Sequence, residues 1–300
     1  MFVEIIMVQF YTRFRKRLGA CILSGVVASF LILILVFSPS TTSLAVLAST
    51  DSLNLHQYRS FRPPVVLKGV HNNASGLTYN HEKNTLFLVI NNPEKIIEID
   101  VLGNELRHIL LEGFEDTEAI TYLGRNNYAI AEERRRSIVI VKIDANTDRL
   151  IRSQQRSLTL PMEGTNNKGF EGIASDPDSG RLYVSNEKEP KKVFQLDGFV
   201  DDTSHLSVSS PWSLDVDSLD SEDISGLYFD HELNHILLLS DESQQLIEAS
   251  LEGEVISTLD LSDNNAGIFE EIPQAEGVAL GPNNTLYILS EPNLLFSFSK

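Results

Sequence analysis

The sequence predicts an all-β fold: a five-bladed β-propeller closed by a strand from its N-terminal side and preceded by one transmembrane or signal-anchor helix. Three observations predict it. A short phrase recurs five times, as Ser75-Gly76-Leu77-Thr78-Tyr79, Glu118-Ala119-Ile120-Thr121-Tyr122, Glu171-Gly172-Ile173-Ala174-Ser175, Ser225-Gly226-Leu227-Tyr228-Phe229 and Glu276-Gly277-Val278-Ala279-Leu280. Its glycine column, with alanine at 119, is spaced by 43, 53, 54 and 51 residues, close to the period of one four-stranded blade per repeat. The last repeat also lacks a fourth strand, and a matching run stands before the first.

Residues 1–17 carry the basic cluster Arg13, Arg15, Lys16 and Arg17. The uncharged run 18–37 that follows is 20 residues long, enough to cross a bilayer as a helix. The positive-inside rule puts 1–17 in the cytoplasm and everything after 37 outside. Val46-Leu47-Ala48 offers a cleavage sequence of small residues. Two expectations follow: a single-pass cell-membrane protein with its propeller on the extracytoplasmic side, or a secreted or periplasmic one after cleavage near Ala48. Leu18-Gly19-Ala20-Cys21 is composed like a lipidation box but opens the apolar run instead of closing it. Residues 38–57 read as a tether and 58–300 as the propeller.

Within each repeat the recurring phrase is the first strand. A turn rich in Asp, Asn, His and Gly comes next, such as Asn80 to Asn84 or Asp176 to Gly180, residue types that turns select. The second strands are continuous apolar runs, for example Leu86 to Ile90, Leu182 to Ser185 and Ile236 to Leu239. Runs of this kind fit strands buried on both faces between neighbouring blades. Third strands are Ile96–Ile99, Ile138–Val141, Val193–Leu196, Leu246–Ala249 and Leu294–Ser297. Fourth strands end repeats one, two and four, at 108–111, 157–160 and 257–261. The chain stops at Lys300 after a third strand, so Val65-Val66-Leu67 is expected to dock there and remove an open edge. The irregular segment 197–224 leaves room for a degenerate sixth blade, although five is the number the pattern supports.

After residue 50 the chain carries 20 basic against 41 acidic side chains. That surface repels nucleic acid and suits cations or basic partners; membrane contact is expected through the N-terminal helix only. No cysteine follows Cys21, so the propeller contains no disulfide.

Strands one and two of a blade are antiparallel neighbours, so the residue entering the first and the residue leaving the second share one end of the channel. The entry column is Ser75, Glu118, Glu171, Ser225 and Glu276. The exit column is Asn91-Asn92, Glu132-Glu133, Asn186-Glu187, Asp241-Glu242 and Ser290-Glu291. Clustered carboxylates repel and resist desolvation unless a cation or shared protons compensate them. The candidate metal ligands are therefore Glu118, Glu171, Glu276, Glu132, Glu187, Asn91, Asp241 and Glu291. An all-oxygen set matches Ca²⁺, with Mg²⁺ or Mn²⁺ fitting less well and zinc disfavoured. The alternative is a solvated rim in which these acids cap strand ends and pair with Lys188, Lys191, Arg134 or Arg135.

Other motifs are weaker. His231 and His235 fall where a hairpin turn is expected and are read as facing water. The acidic run Asp215 to Asp223 lacks the glycine and glutamate spacing of an EF-hand, although Asp223 lies two residues before Ser225 and within reach of the rim. Arg134 to Arg136 reads as a hairpin tip. No G-x-S-x-G, Walker loop or H-E-x-x-H is present, and Ser75 and Ser225 have no evident base beside them.

Phe114-Glu115-Asp116-Thr117-Glu118-Ala119-Ile120, Ala131-Glu132-Glu133-Arg134, Gly169-Phe170-Glu171-Gly172-Ile173-Ala174, Asn186-Glu187-Lys188-Glu189-Pro190, Asp223-Ile224-Ser225-Gly226-Leu227, Leu239-Ser240-Asp241-Glu242-Ser243, Ala275-Glu276-Gly277-Val278-Ala279 and Leu289-Ser290-Glu291-Pro292-Asn293 together resemble the SdiA-regulated (YjiK-like) family over roughly 60–300. The resemblance implies a five-bladed propeller with bound calcium, distantly related to NHL-repeat propellers, some of which are metal-dependent hydrolases. It brings no activity of its own, and Ala119 departs from the glycine of the family phrase. Three functions stay open. The first is an exported, membrane-tethered calcium-binding module. The second is a metal-dependent hydrolase of the phosphoesterase or lactonase kind, with Glu132 or Glu187 as general base. The third is an interaction scaffold in which the acids form only a rim.

Overall fold

The computed structural model describes residues 51–160, 169–188, 191–201, 205–213, 219 and 221–300. The anchor, the basic cluster, the cleavage sequence and Asp215 to Asp217 lie outside the described residues. No helix among the described residues is long and apolar enough to cross a membrane.

Five antiparallel sheets form five blades. The first contains Ala74–Asn80, Thr85–Asn91, Glu94–Asp100 and Glu105–Glu112, and the second Thr117–Gly124, Asn127–Glu132, Ser137–Lys142 and Arg156–Thr159. The third contains Phe170–Asp176, Arg181–Asn186, Lys192–Asp197 and Ser207–Ser213; the fourth contains Gly226–Asp230, His235–Ser240, Gln245–Ala249 and Val255–Asp260. The outer strand of the third blade occupies the segment read as irregular. Its sequence lacks an apolar run and includes Pro211, which a strand tolerates at a sheet edge.

The fifth blade supplies Ala275–Leu280, Leu286–Ser290 and Leu294–Ser299, and the N-terminal side completes it. Val65 and Val66 pair antiparallel with Leu295 and Leu294, as the sequence predicts. Arg59 and Ser60 extend the closure by pairing with Ser299 and Phe298. Residues 51–57, read as the end of a tether, are also engaged: Leu53 and Leu55 are buried with Tyr58 between blades four and five. One strand was not foreseen. Arg149–Ile151 adds in parallel outside Glu105–Glu112, burying Leu150 beside Leu111 and Ile143.

The core lies between blades, which is why the second strands are apolar on both faces. Five buried clusters each span one junction, from blades one and two around to five and one. The turn residues serve geometry: Asn84, Asn126, Gly180 and Asn234 each take positive φ immediately before a second strand, a conformation that Asn and Gly adopt at least cost.

The recurring glycine is explained by crowding at the axis. A Cβ on Gly277 would lie 2.8 Å from the Leu77 backbone nitrogen, and one on Gly172 would lie 3.0 Å from that of Leu227. Backbone cannot yield there as a side chain end would. Gly277→Ala is therefore expected to cost about 1–3 kcal/mol, read as a lower melting temperature with an unchanged strand signature by circular dichroism.

Candidate metal centre

The entry carboxylates owe their direction to a local irregularity. In blades two, three and five the ladder between strands one and two skips a residue, and the residue skipped is Glu118, Glu171 or Glu276. A bulge re-aims the side chain it carries. Three carboxylates from three blades thus leave the pleat alternation and turn to the channel mouth. Ser75 and Ser225 hold the column in the other two blades and satisfy neighbours instead: Ser225 Oγ donates to the Ala275 carbonyl at 2.5 Å, while Ser75 hydrogen-bonds Glu118.

The bulge also fixes which exit residue faces the mouth. Glu132 pairs across the ladder with Thr117, Asn186 with Phe170 and Ser290 with Ala275. The next amides, of Glu133, Glu187 and Glu291, donate to the carbonyls of Asp116, Gly169 and Gln274 at 2.9, 3.0 and 3.0 Å. The inward column accordingly contains Glu133, Glu187 and Glu291. Asn91 and Asp241 also reach inward, by their side chains. Asn91 Nδ2 donates to Glu118 Oε1 at 2.7 Å, and Asp241 Oδ1 accepts from the Ala275 amide at 3.0 Å.

Glu132 is the exception and is corrected here. It points away, wholly buried, with Oε1 2.9 Å from Arg135 Nη1 and Oε2 2.9 Å from Arg152 Nη2. A carboxylate held by two guanidinium groups is neither a free ligand nor a general base. Glu132→Gln is expected to destabilise the fold by about 3 kcal/mol, the usual scale for breaking a buried ion pair, while leaving metal affinity unchanged in a titration.

Burial dominates the electrostatics. Glu118 is 9% exposed. Glu171 and Glu276 are half-buried and line the narrow channel beside the glycine column. Burial pushes the Glu171 carboxyl well above the usual range, and the negative charges of Glu118, Glu276, Glu133 and Glu187 add to it. Burial, then Glu118, Glu291, Asp241 and Asp223, raises Glu276 to about 8. Glu133 also reaches about 8, through burial and a hydrogen bond shared with Asp116. Burial likewise raises Glu118, Glu291 and Asp241. Mutual influence among Glu118, Glu171 and Glu276 places these sequence-distant acids in one field.

Basic residues sit on the outside of this cluster. Arg134 Nε is 2.9 Å from Asp116, and Lys188 Nζ bridges Glu187 at 3.1 Å and Glu242 at 2.5 Å. That is the pairing expected of a solvated rim. Among the described residues, however, no basic side chain forms an ion pair with Glu118, Glu171 or Glu276. The tightest set of potential ligands is Asp116, Glu118 and Glu133, whose oxygens lie within 4.8 Å of one another. Oxygens around a single ion at 2.3–2.6 Å span that distance.

Asp116 and Glu133 were absent from the sequence-derived ligand set. Asp116 stands two residues before the entry column, the position Asp223 holds in blade four. Asp223 is buried; its Oδ1 accepts from Ser240 Oγ and, at 3.2 Å, from the Glu242 amide. His235, read as facing water, is instead buried on a strand with Nδ1 2.7 Å from Glu248. The Arg134 to Arg136 tip is a turn, as expected.

The SdiA-regulated family model matches residues 50–299. The chain belongs to the SdiA-regulated family. Among solved structures it is similar to a glutaminyl cyclase of Myxococcus xanthus, at 13% identity and a TM-score of 0.55 over 81% of this chain and 95% of that one. A luciferin-regenerating enzyme matches at 13% identity and TM-score 0.50, covering 79% and 96% of the two chains. A nidogen/laminin complex chain matches at 14% and 0.50, covering 73% of each. At such identities these likenesses speak for the propeller alone.

Proposed function

We propose that this member of the SdiA-regulated family is an exported, membrane-tethered binding module. Its acidic channel mouth takes a calcium ion, and residues 18–37 serve as the anchor. The observation that carries the metal reading is the convergence of Asp116, Glu118 and Glu133 oxygens within 4.8 Å, in the field of Glu171 and Glu276 from two further blades, with no basic partner on Glu118, Glu171 or Glu276 among the described residues. A divalent cation satisfies that arrangement, with Asp116, Glu118 and Glu133 as the nearest ligands and Glu171 and Glu276 facing them. The donor set is oxygen only and contains more carboxylates than octahedral Mg²⁺ usually takes, which favours Ca²⁺. The bound ion would order the mouth and present it to a partner.

Isothermal titration of chelator-treated protein tests this. Saturable binding of one Ca²⁺ is expected, weakened at least tenfold by Glu118→Gln and untouched by Glu132→Gln. Equal Ca²⁺ affinity in wild type and Glu118→Gln would sink the placement. A second reading, a metal-dependent hydrolase at the same mouth, has one feature in its favour: burial and neighbouring carboxylates raise Glu276 to about 8, in the range useful to a general acid or base. Turnover of phosphoesters or lactones that disappears in Glu276→Gln would select it.

A further inference from the structure

The inner strands run from the acidic mouth toward the other end of the channel. There they open into a cup of about 560 Å³ to which all five blades contribute, within the range of small-molecule sites. Between cup and acidic mouth the channel narrows to a cavity of about 10 Å³ lined by the glycine column and its neighbours. That is room for a single water. The two ends are therefore separate compartments, and a ligand in one does not reach the other.

The chemistry of the cup is distinctive. Its walls include Tyr79, Tyr122, Tyr228 and Asp230, its exposed rim Asp178 and Glu232, and neither lysine nor arginine lines it. Tyr228 lies in the field of Asp230 and Glu232 and near Tyr79, so aromatic and anionic groups face the same space. Asp230 is buried; its Oδ1 accepts from the amides of Glu232 and Leu233 at 3.0 and 3.2 Å. His81 packs edge-on against Tyr122 with ring centres 5.3 Å apart and leaves that wall aromatic.

An anion would meet three carboxylates with no lysine or arginine to receive it, only the imidazoles of His81 and His231. A small metal ion fits poorly as well, because no three of the cup's acids and imidazoles bring ligand atoms within 4.8 Å of one another. Among the described residues only the cluster at the opposite mouth does so. Spread negative charge around tyrosine faces suits a cation that is itself extended: ammonium groups are attracted both to carboxylates and to the electron-rich faces of aromatic rings. We propose that this cup binds an aliphatic ammonium compound, with its alkyl body against the tyrosines and its charge toward Asp178, Asp230 and Glu232.

The test uses the full chain in detergent, titrated with spermidine and with choline, and with glucose and citrate as neutral and anionic comparisons. Saturable one-to-one binding of at least one ammonium probe is expected, with glucose and citrate silent. Glu232→Gln and Asp178→Asn, both changes at the solvent-facing rim, should each weaken it several-fold, and together at least tenfold. Tyr79→Leu should do the same without lowering the melting temperature enough to unfold the protein at the assay temperature. Glu171→Gln, at the other end, should leave it unchanged. The assignment is overturned if neither ammonium probe binds, if glucose binds as well as they do, or if binding survives the double rim variant and is lost in Glu171→Gln.

Discussion

In the presence of chelator, the melting temperature is expected to fall as pH rises from 5 to 8.5, and excess Ca²⁺ to abolish that fall. Glu276 and Glu133 have folded-state values near 8 against an ordinary carboxyl value of 4.5. Between those limits the folded chain binds more protons than the unfolded one, so stability declines with rising pH. The stabilisation is complete below about pH 4.5 and gone above about 8. One uncompensated proton changes stability by about 1.4 kcal/mol per pH unit, roughly 3–6 °C per unit for a domain of this size. Calcium competes with those protons and binds more tightly as they leave. At a hundredfold excess over its dissociation constant it adds about 2.7 kcal/mol, which flattens or inverts the slope. Glu276→Gln should act oppositely in the two conditions. It removes one buried charge, so it raises the melting temperature in chelator at pH 8, and it diminishes the gain from calcium. Matched NaCl and Mg²⁺ series separate this from general screening of the acidic surface. A profile that is flat in chelator across this range, or a Glu276→Gln protein less stable than wild type in chelator, would dispose of the cluster as a cation site.

The blade pattern, the closing strand and the entry column were legible because each is written in local composition. Continuous apolar runs such as Ile236 to Leu239 report burial on both faces, and the Ser75, Glu118, Glu171, Ser225 and Glu276 column is fixed by the glycine or alanine beside it. The exit column failed at Glu132 for a definable reason. Two glutamates stand side by side there, and strand parity decides which faces inward. That parity depends on the extra residue at Glu118, a bulge that no composition reveals. Asp116 escaped because it lies before the strand with positive φ, outside any reading based on strand positions. The parallel strand Arg149–Ile151 is three residues long, too short to leave a periodic trace. Ser207–Ser213 is an outer strand without an apolar face to advertise it.

A chain beginning at residue 68 is expected not to fold as a monomer, whereas one beginning at residue 51 does. Residues 51–67 bury Leu53, Leu55, Tyr58 and Leu67, and each such side chain stabilises by about 1.5–3 kcal/mol. Their sum rivals the whole net stability of a typical domain, about 5–15 kcal/mol. Their loss also bares the edge of Leu294–Ser299, whose free amides and carbonyls invite pairing between chains. Glu248 ties the same segment down from blade four. It is fully buried, accepts from Ser52 Oγ at 2.6 Å, the Leu53 amide at 2.9 Å and Ser257 Oγ at 2.5 Å, and sits against His235 Nδ1. Burial pushes this carboxyl up, yet the bonds from Ser257, Ser52, Leu53 and His235 outweigh burial and hold it below the ordinary range. Glu248→Ala should therefore cost about 3–5 kcal/mol, and the cost should appear first as release of the N-terminal segment. Limited trypsin treatment reads this directly, because Arg59, followed by Ser60, lies within the closure. Wild type resists cleavage there, while Glu248→Ala and Leu55→Ala are cut. The double variant should lose less than the sum of the two, since both detach one element. Equal melting curves for chains starting at 51 and at 68 would show that the ring closes through its other junctions alone.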